Sequence, residues 1–194
     1  EILSDNQELA GQIRERLQRR GVFMLNLMSS PGAGKTSLIL RTLSALGDGV
    51  RIGVIEGDID STVDAETVSR RGVPAVQLRT GGFCHLDAPM IEKALGELDL
   101  AALDCIIIEN VGNLVCPAEF DTGAQKRAMI LSVPEGDDKP LKYPLMFSVC
   151  DALVVNKIDY LGTSDFDLEH LRERVYTLNP AIRIFPVSCK TGAG

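Results

Sequence analysis

Tryptophan is absent from this chain of 194 residues, and aromatic residues make up only 5% of it. The 45% that is hydrophobic is therefore largely aliphatic. Basic residues are outnumbered, 20 Lys and Arg against 27 Asp and Glu, for a net charge of −7. An acidic chain without a basic stripe excludes a nucleic-acid binder or a protein held on an anionic membrane surface. No apolar run approaches the roughly 20 residues that span a bilayer, and the first residues lack the charged-then-apolar plan of a signal peptide. The five cysteines are an odd number with no framework spacing. They point to a reducing, cytoplasmic setting with free or metal-bound thiols rather than disulfides. There is no internal repeat, low-complexity tract or linker, so residues 1–194 are expected to form one domain with a full core. The sequence starts without Met and stops at Thr191-Gly192-Ala193-Gly194. That suggests a trimmed chain, short of a leader and of a last helix.

Against these absences stands one strong motif. Ser29-Ser30-Pro31-Gly32-Ala33-Gly34-Lys35-Thr36 follows the apolar run 22–28 directly. Strand, glycine-rich turn, then Lys-Thr opening an apolar helix is the context of a phosphate-binding loop. Glycines let successive backbone N–H groups converge on a phosphate, and the helix N-terminus adds partial positive charge. Gly32, Ala33, Gly34, Lys35, Thr36 and Ser37 form the expected phosphate-binding set. Lys35 would reach the β/γ-phosphates, and the Thr36 hydroxyl would bind Mg²⁺. The pattern departs at Ser29, where glycine is usual; the bland alternative is a plain Gly/Ser linker.

Periodicity organises the remainder. Ser4-Asp5-Asn6-Gln7 resembles a capping box, and Leu9, Ile13 and Leu17 follow at helical spacing. This predicts a helix over residues 5–20, ended by Gly21. Helices are expected over 35–46, over 62–71, from a cap at Asp87 to about residue 98, and over 167–178. Strands are expected at 51–55, 75–78, 105–108, 127–133, 152–155 and 182–187, with a polar loop at 134–144. Strands alternating with helices predict an α/β fold: a mostly parallel sheet with helices on both faces.

Asn156-Lys157-Ile158-Asp159 follows the strand at 152–155 and resembles the guanine-specifying signature of GTP-binding proteins. A carboxylate at Asp159 accepts two hydrogen bonds, from guanine N1–H and the 2-amine. Adenine offers neither donor and would leave the carboxylate unpaired, a heavily penalised mismatch. Ser188-Cys189-Lys190 resembles the last GTP-binding segment, where a backbone N–H reads guanine O6. An ordinary strand-to-loop exit is the alternative for each. Asp58 and Glu109 lie at strand carboxyl ends, where open α/β sheets bind ligands. Either could hold Mg²⁺, directly or through water. Asp64 lies in a stretch that could order around the γ-phosphate and position the attacking water. Asp60 and Asp64 also fit plain capping of a helix start.

Cys84-His85 and Cys116 follow two strands of the same sheet edge. Two thiolates and one imidazole suit Zn²⁺ or Ni²⁺ rather than Mg²⁺. They leave one coordination position for water, another protein group or a second copy of the chain. The alternative is that the thiols merely pack, as expected for Cys105, Cys150 and Cys189.

With these pieces in order, the chain closely resembles the hydrogenase nickel-incorporation GTPases, the HypB family. The likeness runs nearly end to end. It rests on residues 25–36, including the serine at 29, and on Ile55-Glu56-Gly57-Asp58 and Cys84-His85-Leu86-Asp87-Ala88. It also rests on two long segments, Glu109-Asn110-Val111-Gly112-Asn113-Leu114-Val115-Cys116-Pro117 and residues 135–144. The resemblance implies a SIMIBI-type P-loop GTPase that dimerises and helps insert nickel into [NiFe]-hydrogenase. It implies that Cys84, His85 and Cys116 bind nickel or zinc near the dimer interface. The implied partners are other hydrogenase maturation factors and the hydrogenase large subunit. Some members carry a histidine- or cysteine-rich metal segment at the N-terminus. This sequence has neither, so no separate storage site is expected. The competing readings are a GTPase chaperone for urease or a cobalamin-dependent mutase, or a P-loop kinase or ATPase with a structural zinc. The order Cys-His-Leu, rather than Cys-Pro-His, argues against the urease type.

Overall fold

The structure, a computed structural model, describes residues 2–58 and 72–194. The expected helix over 62–71 and the candidate Asp64 lie outside the described residues. Among the described residues seven strands form one parallel sheet: β1 (Phe23–Ser29), β2 (Ile52–Asp58), β3 (Ala75–Arg79), β4 (Cys105–Glu109), β5 (Lys126–Ser132), β6 (Ala152–Asn156) and β7 (Arg183–Pro186). Their order is β3-β2-β4-β1-β5-β6-β7. β1 is thus flanked by β4 and β5, with Leu27 opposite Glu109 and Met28 opposite Met129.

Alternation along the strands divides the core between two faces. Ile106 and Ile108 pack on one side with the first helix and with the helix Ala88–Leu95. Met28, Met129, Leu131 and Phe147 continue that side under the helices Pro144–Val149 and Leu168–Leu178. Leu27, Ile107 and Ile130 point the other way, against the helix Lys35–Leu46. No helix among the described residues is long and apolar enough to cross a membrane.

The first helix runs Ile2–Arg19 rather than 5–20. The capping box is not used: Ser4 sits inside the helix with its hydroxyl toward Asp5 at 3.4 Å. A cap preference of about 1 kcal/mol does not stop a helix where no Gly or Pro precedes it. The far end is as expected. Gly21 takes φ 69°, Gly21 N donates to Gln18 O at 3.1 Å and Val22 N to Leu17 O at 3.0 Å. This is a Schellman closure. Ala10, Ile13 and Leu17 are at most 1% exposed. Burying Leu17 alone contributes about 1.5–3 kcal/mol.

The polar loop expected at 134–144 is more ordered than that. A 3₁₀ turn, Val133–Glu135, is followed by the helix Lys139–Lys142 and then by Pro144–Val149. Pro134, Pro140 and Pro144 stand in first-turn positions, where the missing N–H costs nothing, so they start helices here.

Candidate functional site

Parallel strands deliver Ser29, Asp58, Glu109, Ser132 and Asn156 to one edge of the sheet. From Ser29 the chain turns into the helix Lys35–Leu46 through Gly32 and Gly34, at φ 77° and 105°. A Cβ on Gly34 would overlap Asn156 Nδ2. That amide donates instead to Ala33 O at 2.9 Å. Its Oδ1 accepts Lys157 N at 2.8 Å and Cys189 N at 3.2 Å. Asn156 therefore fastens the phosphate loop to both segments of the expected base site. Lys157 adds a second tie, Nζ to Gly32 O at 2.7 Å. It holds φ 62°, which no other non-glycine among the described residues shares.

The serine at position 29 has a use of its own. Fully buried, its Oγ accepts Lys35 Nζ at 3.1 Å and donates to Ser30 O at 2.7 Å. Ser30 Oγ in turn donates to the Glu135 carboxylate. The other Glu135 oxygen accepts both Ser132 N and Ser132 Oγ at 2.7 Å. The long motif at 135–144 thus braces the phosphate loop from beside β5.

A cleft of about 560 Å³ opens over this loop, lined by Gly32, Gly34, Lys35, Thr36, Ser37, Glu109 and Lys157. Thr36 Oγ1 donates to Glu109 Oε1 at 2.9 Å. Glu56 stands opposite Glu109 in the β2–β4 register, lines the same cleft and is equally buried. Sequence reasoning passed over Glu56 in favour of Asp58. The signal that could have found it is register: aligning the two strand ends pairs the two glutamates. Asp58 is the last residue of β2, at the mouth of this edge.

A smaller pocket of about 320 Å³ adjoins, between Gly34, Asn156, Lys157, Asp159, Cys189 and Lys190. Asp159 accepts Ser188 Oγ at 2.6 Å, and Ser188 Oγ accepts Thr191 N at 3.2 Å. Arg41 donates to Cys189 O at 2.7 Å and Lys190 O at 3.1 Å, tying this loop to the helix that leaves the phosphate loop.

Cys84, His85 and Cys116 meet, with one donor atom from each within 4.8 Å of the others. Cys84 Sγ lies 2.8 Å from Cys116 Sγ and 3.9 Å from His85 Nδ1. Among the described residues no other group of His, Cys, Asp and Glu of this size is so gathered. The His85 ring stacks on Phe120 with centroids 3.7 Å apart. Burial holds the imidazole below its usual pKa. The hydrogen bond with Cys84, with burial, holds the Cys116 thiol above its own. The donor set is that of a borderline-soft divalent cation. Cys105 and Cys150 are different: burial pushes their thiols up to about 11 and about 12, as suits packing residues. Burial also raises the Cys189 thiol.

One segment joins cleft and cluster. It leaves Glu109 and reaches Cys116, and Asn110 anchors it. Asn110 Oδ1 accepts Leu86 N at 3.2 Å and Val111 N at 2.9 Å, while Nδ2 donates to Asn26 Oδ1 at 3.1 Å. Gly112 rests on Pro31 of the phosphate loop so closely that a Cβ would stand 3.0 Å from Pro31 Cγ.

Residues 23–186 match the family described as CobW/HypB/UreG, nucleotide-binding domain. The chain is 47% identical over 193 residues to the hydrogenase/urease maturation factor HypB of Helicobacter hepaticus, covering 97% of this chain and 79% of that one. This chain belongs to the HypB family. It is also 48% identical over 194 residues to the hydrogenase maturation factor HypB of Azotobacter vinelandii. It spans 64% of that relative's length and 65% of that of the HypB of Rhizobium leguminosarum bv. viciae. Among solved structures it resembles HypB from Archaeoglobus fulgidus, with a TM-score of 0.92 and 41% identity, over 99% of this chain and 94% of that one. HypB from Helicobacter pylori in complex with nickel gives 0.91 and 42%, over 96% and 87%. FlhF complexed with GTP/Mg(2+), at 16% identity and a TM-score of 0.62, shares the α/β P-loop fold.

Proposed function

We propose that this chain binds and slowly hydrolyses GTP, and that it couples this cycle to carrying nickel, or zinc, toward a hydrogenase under maturation. The observation that carries the reading is the segment from Glu109 to Cys116, which borders the nucleotide cleft at one end and supplies a metal ligand at the other. Membership of the HypB family supports it, as does the nickel named with the Helicobacter pylori HypB structure.

In this reading Gly32, Ala33, Gly34, Lys35, Thr36 and Ser37 cradle the phosphates. Asp159 reads the guanine N1–H and amine, Ser188 orients Asp159, and the Cys189–Lys190 backbone reads O6. Asn156 and Lys157 hold these two halves together. Thr36, Asp58 and Glu109 supply the oxygen donors a hard cation takes, so they would hold Mg²⁺, directly or through water. The ion would neutralise charge on the β- and γ-phosphates. Lys35 does the same from the protein side. Asp64 is the candidate for positioning the attacking water. No arginine lines the cleft among the described residues. A site that works without an arginine finger forfeits about 10³–10⁵ in rate, and slow turnover is the expected outcome.

The metal is cargo, held by Cys84, His85 and Cys116 with a position open to water or to a second copy. Phe83 and Val115, 58% and 49% exposed beside the cluster, support a two-fold interface there. The homodimer would be favoured by GTP, by metal or by both. The recipients would be other maturation factors and the hydrogenase large subunit. The free thiols support a cytoplasmic setting. The test is calorimetric nickel titration of the GDP form and the GTP-analogue form, with mass followed by sedimentation. Different affinities are expected; identical affinity and identical mass in both states would overturn the coupling.

A further inference from the structure

The first helix lies outside residues 23–186, the part that matches the family's nucleotide-binding domain. Its inner side does more than pack. Asn6 is only 5% exposed, and each end of its carboxamide is engaged. Oδ1 accepts Ala88 N at 2.8 Å. Nδ2 donates to Asp121 O at 2.9 Å. Ala88 begins the helix that follows Cys84-His85. Asp121 directly follows Phe120, the ring on which His85 stacks, in the segment that carries Cys116. One buried side chain from a third element thus bridges the two ligand-bearing segments. An amide suits the task because one segment presents a donor and the other an acceptor.

The same helix grips both segments again farther along. Arg14 donates from Nη2 to both Asp121 carboxylate oxygens, at 2.8 and 2.7 Å, and from Nε to Ala124 O at 3.2 Å. Arg16 forks onto Glu92, in the helix Ala88–Leu95, at 2.8 and 2.6 Å. A paired, planar grip such as that of Arg16 fixes orientation as well as distance.

We propose that Asn6 is a positioning residue for the metal cluster, setting the gap between the segment of Cys84 and His85 and the segment of Cys116. The first helix is then part of the metal site's framework. The inference rests on the reading of Cys84, His85 and Cys116 as metal ligands. Groups that orient ligands from behind change metal affinity about 10- to 100-fold when removed. A helix that merely docked would change stability and leave affinity alone.

The test uses the whole chain, with Ni²⁺ and separately Zn²⁺ titrated against a competing chelator and thiolate-to-nickel absorption recorded. Asn6→Ala should weaken nickel about tenfold and alter the absorption band, with GDP affinity unchanged. Leu17→Ala is the control, removing a fully buried apolar side chain near the other end of the helix from Asn6. It should lower the melting temperature and leave nickel affinity within twofold. Nickel affinity unchanged in Asn6→Ala, or lost equally in both variants, overturns the positioning role. If Asn6→Ala does not fold, Asn6→Asp keeps the acceptor for Ala88, drops the donor to Asp121, and is judged by the same criterion. An unmutated chain that binds neither metal, or one whose binding survives Cys84→Ala and Cys116→Ala, overturns the ligand reading instead.

Discussion

Both polar atoms of the Asn156 carboxamide are engaged, and Gly34 makes the room for them. Gly34→Ala should therefore fail twice, through strain at φ 105° and through displacement of Asn156. We expect a stability loss of about 1–3 kcal/mol by thermal denaturation, together with loss of GDP binding. Asp159→Asn removes an acceptor from a site that needs two. It should weaken GTP by about 2–4 kcal/mol. Xanthosine nucleotides, whose C2 carbonyl matches an amide donor, should gain. Competition binding with GTP, XTP and ATP checks this, and equal affinity of the unmutated chain for GTP and ATP would sink the base-site reading. The metal cluster should respond to pH through its thiols. Cys116 is held above its usual pKa, so its proton must be displaced at neutral pH. His85 is held below its own and stays neutral to lower pH. Nickel affinity should thus rise with pH, about tenfold per unit for each proton released, and fall as pH drops. A chelator competition series from pH 6 to 8 measures the slope, and a flat profile would rule out thiol ligation.

At the scale of elements, the first helix sits against the loop after Phe120 at Gly123. A Cβ there would meet Ile13 Cγ2 at 2.8 Å and Ala10 O at 2.9 Å, and the backbone already has φ 82°. Gly123→Ala should cost about 1–3 kcal/mol of stability by pushing that helix outward, read as a lowered melting temperature. The helix and the sheet were legible because period and punctuation agree: Leu9, Ile13 and Leu17 on one stripe, Gly21 after it, then an apolar strand. The strand, turn and helix around residues 29–36 and the meeting of Cys84, His85 and Cys116 were legible because the first is local in sequence and the second gathers at strand ends of one parallel sheet. The errors have equally local causes. Ser4 presents a cap signal that the longer helix overrides. Pro140 and Pro144 signal loop by composition but start helices by position. Asn6, Glu56 and Asn110 were silent because a buried polar residue is defined by partners far away in sequence. Nothing beside Asn6 announces Asp121, and Glu56 meets Glu109 only once the two strand ends are put in register.

For the whole molecule, the cleft and the cluster share the segment after β4, and Asn110 is its hinge-point of hydrogen bonds. If nucleotide changes nickel affinity by some factor, nickel must change nucleotide affinity by the same factor. Asn110→Ala, which releases Leu86 N and Asn26 Oδ1 together, should bring that factor toward one while both ligands still bind. Paired titrations of the variant and the unmutated chain measure it, and a retained factor would place the coupling elsewhere. The strand order carries a different consequence, for synthesis. β1 has only β4 and β5 as neighbours, with Phe23 opposite Cys105 and Leu25 opposite Lys126. The phosphate loop that follows β1 has no sheet to lean on until those later strands have been made. A chain emerging from the ribosome would hold its most conspicuous motif unpaired until β4 and β5 have been made. Such non-local pairing makes folding slow and exposes apolar strands to aggregation meanwhile. A fragment ending at residue 100 should show no slow-exchanging amides in 23–29, and refolding of the whole chain should take milliseconds to seconds. β4, entering between β2 and β1, is the strand that joins the β2–β3 pair to β1.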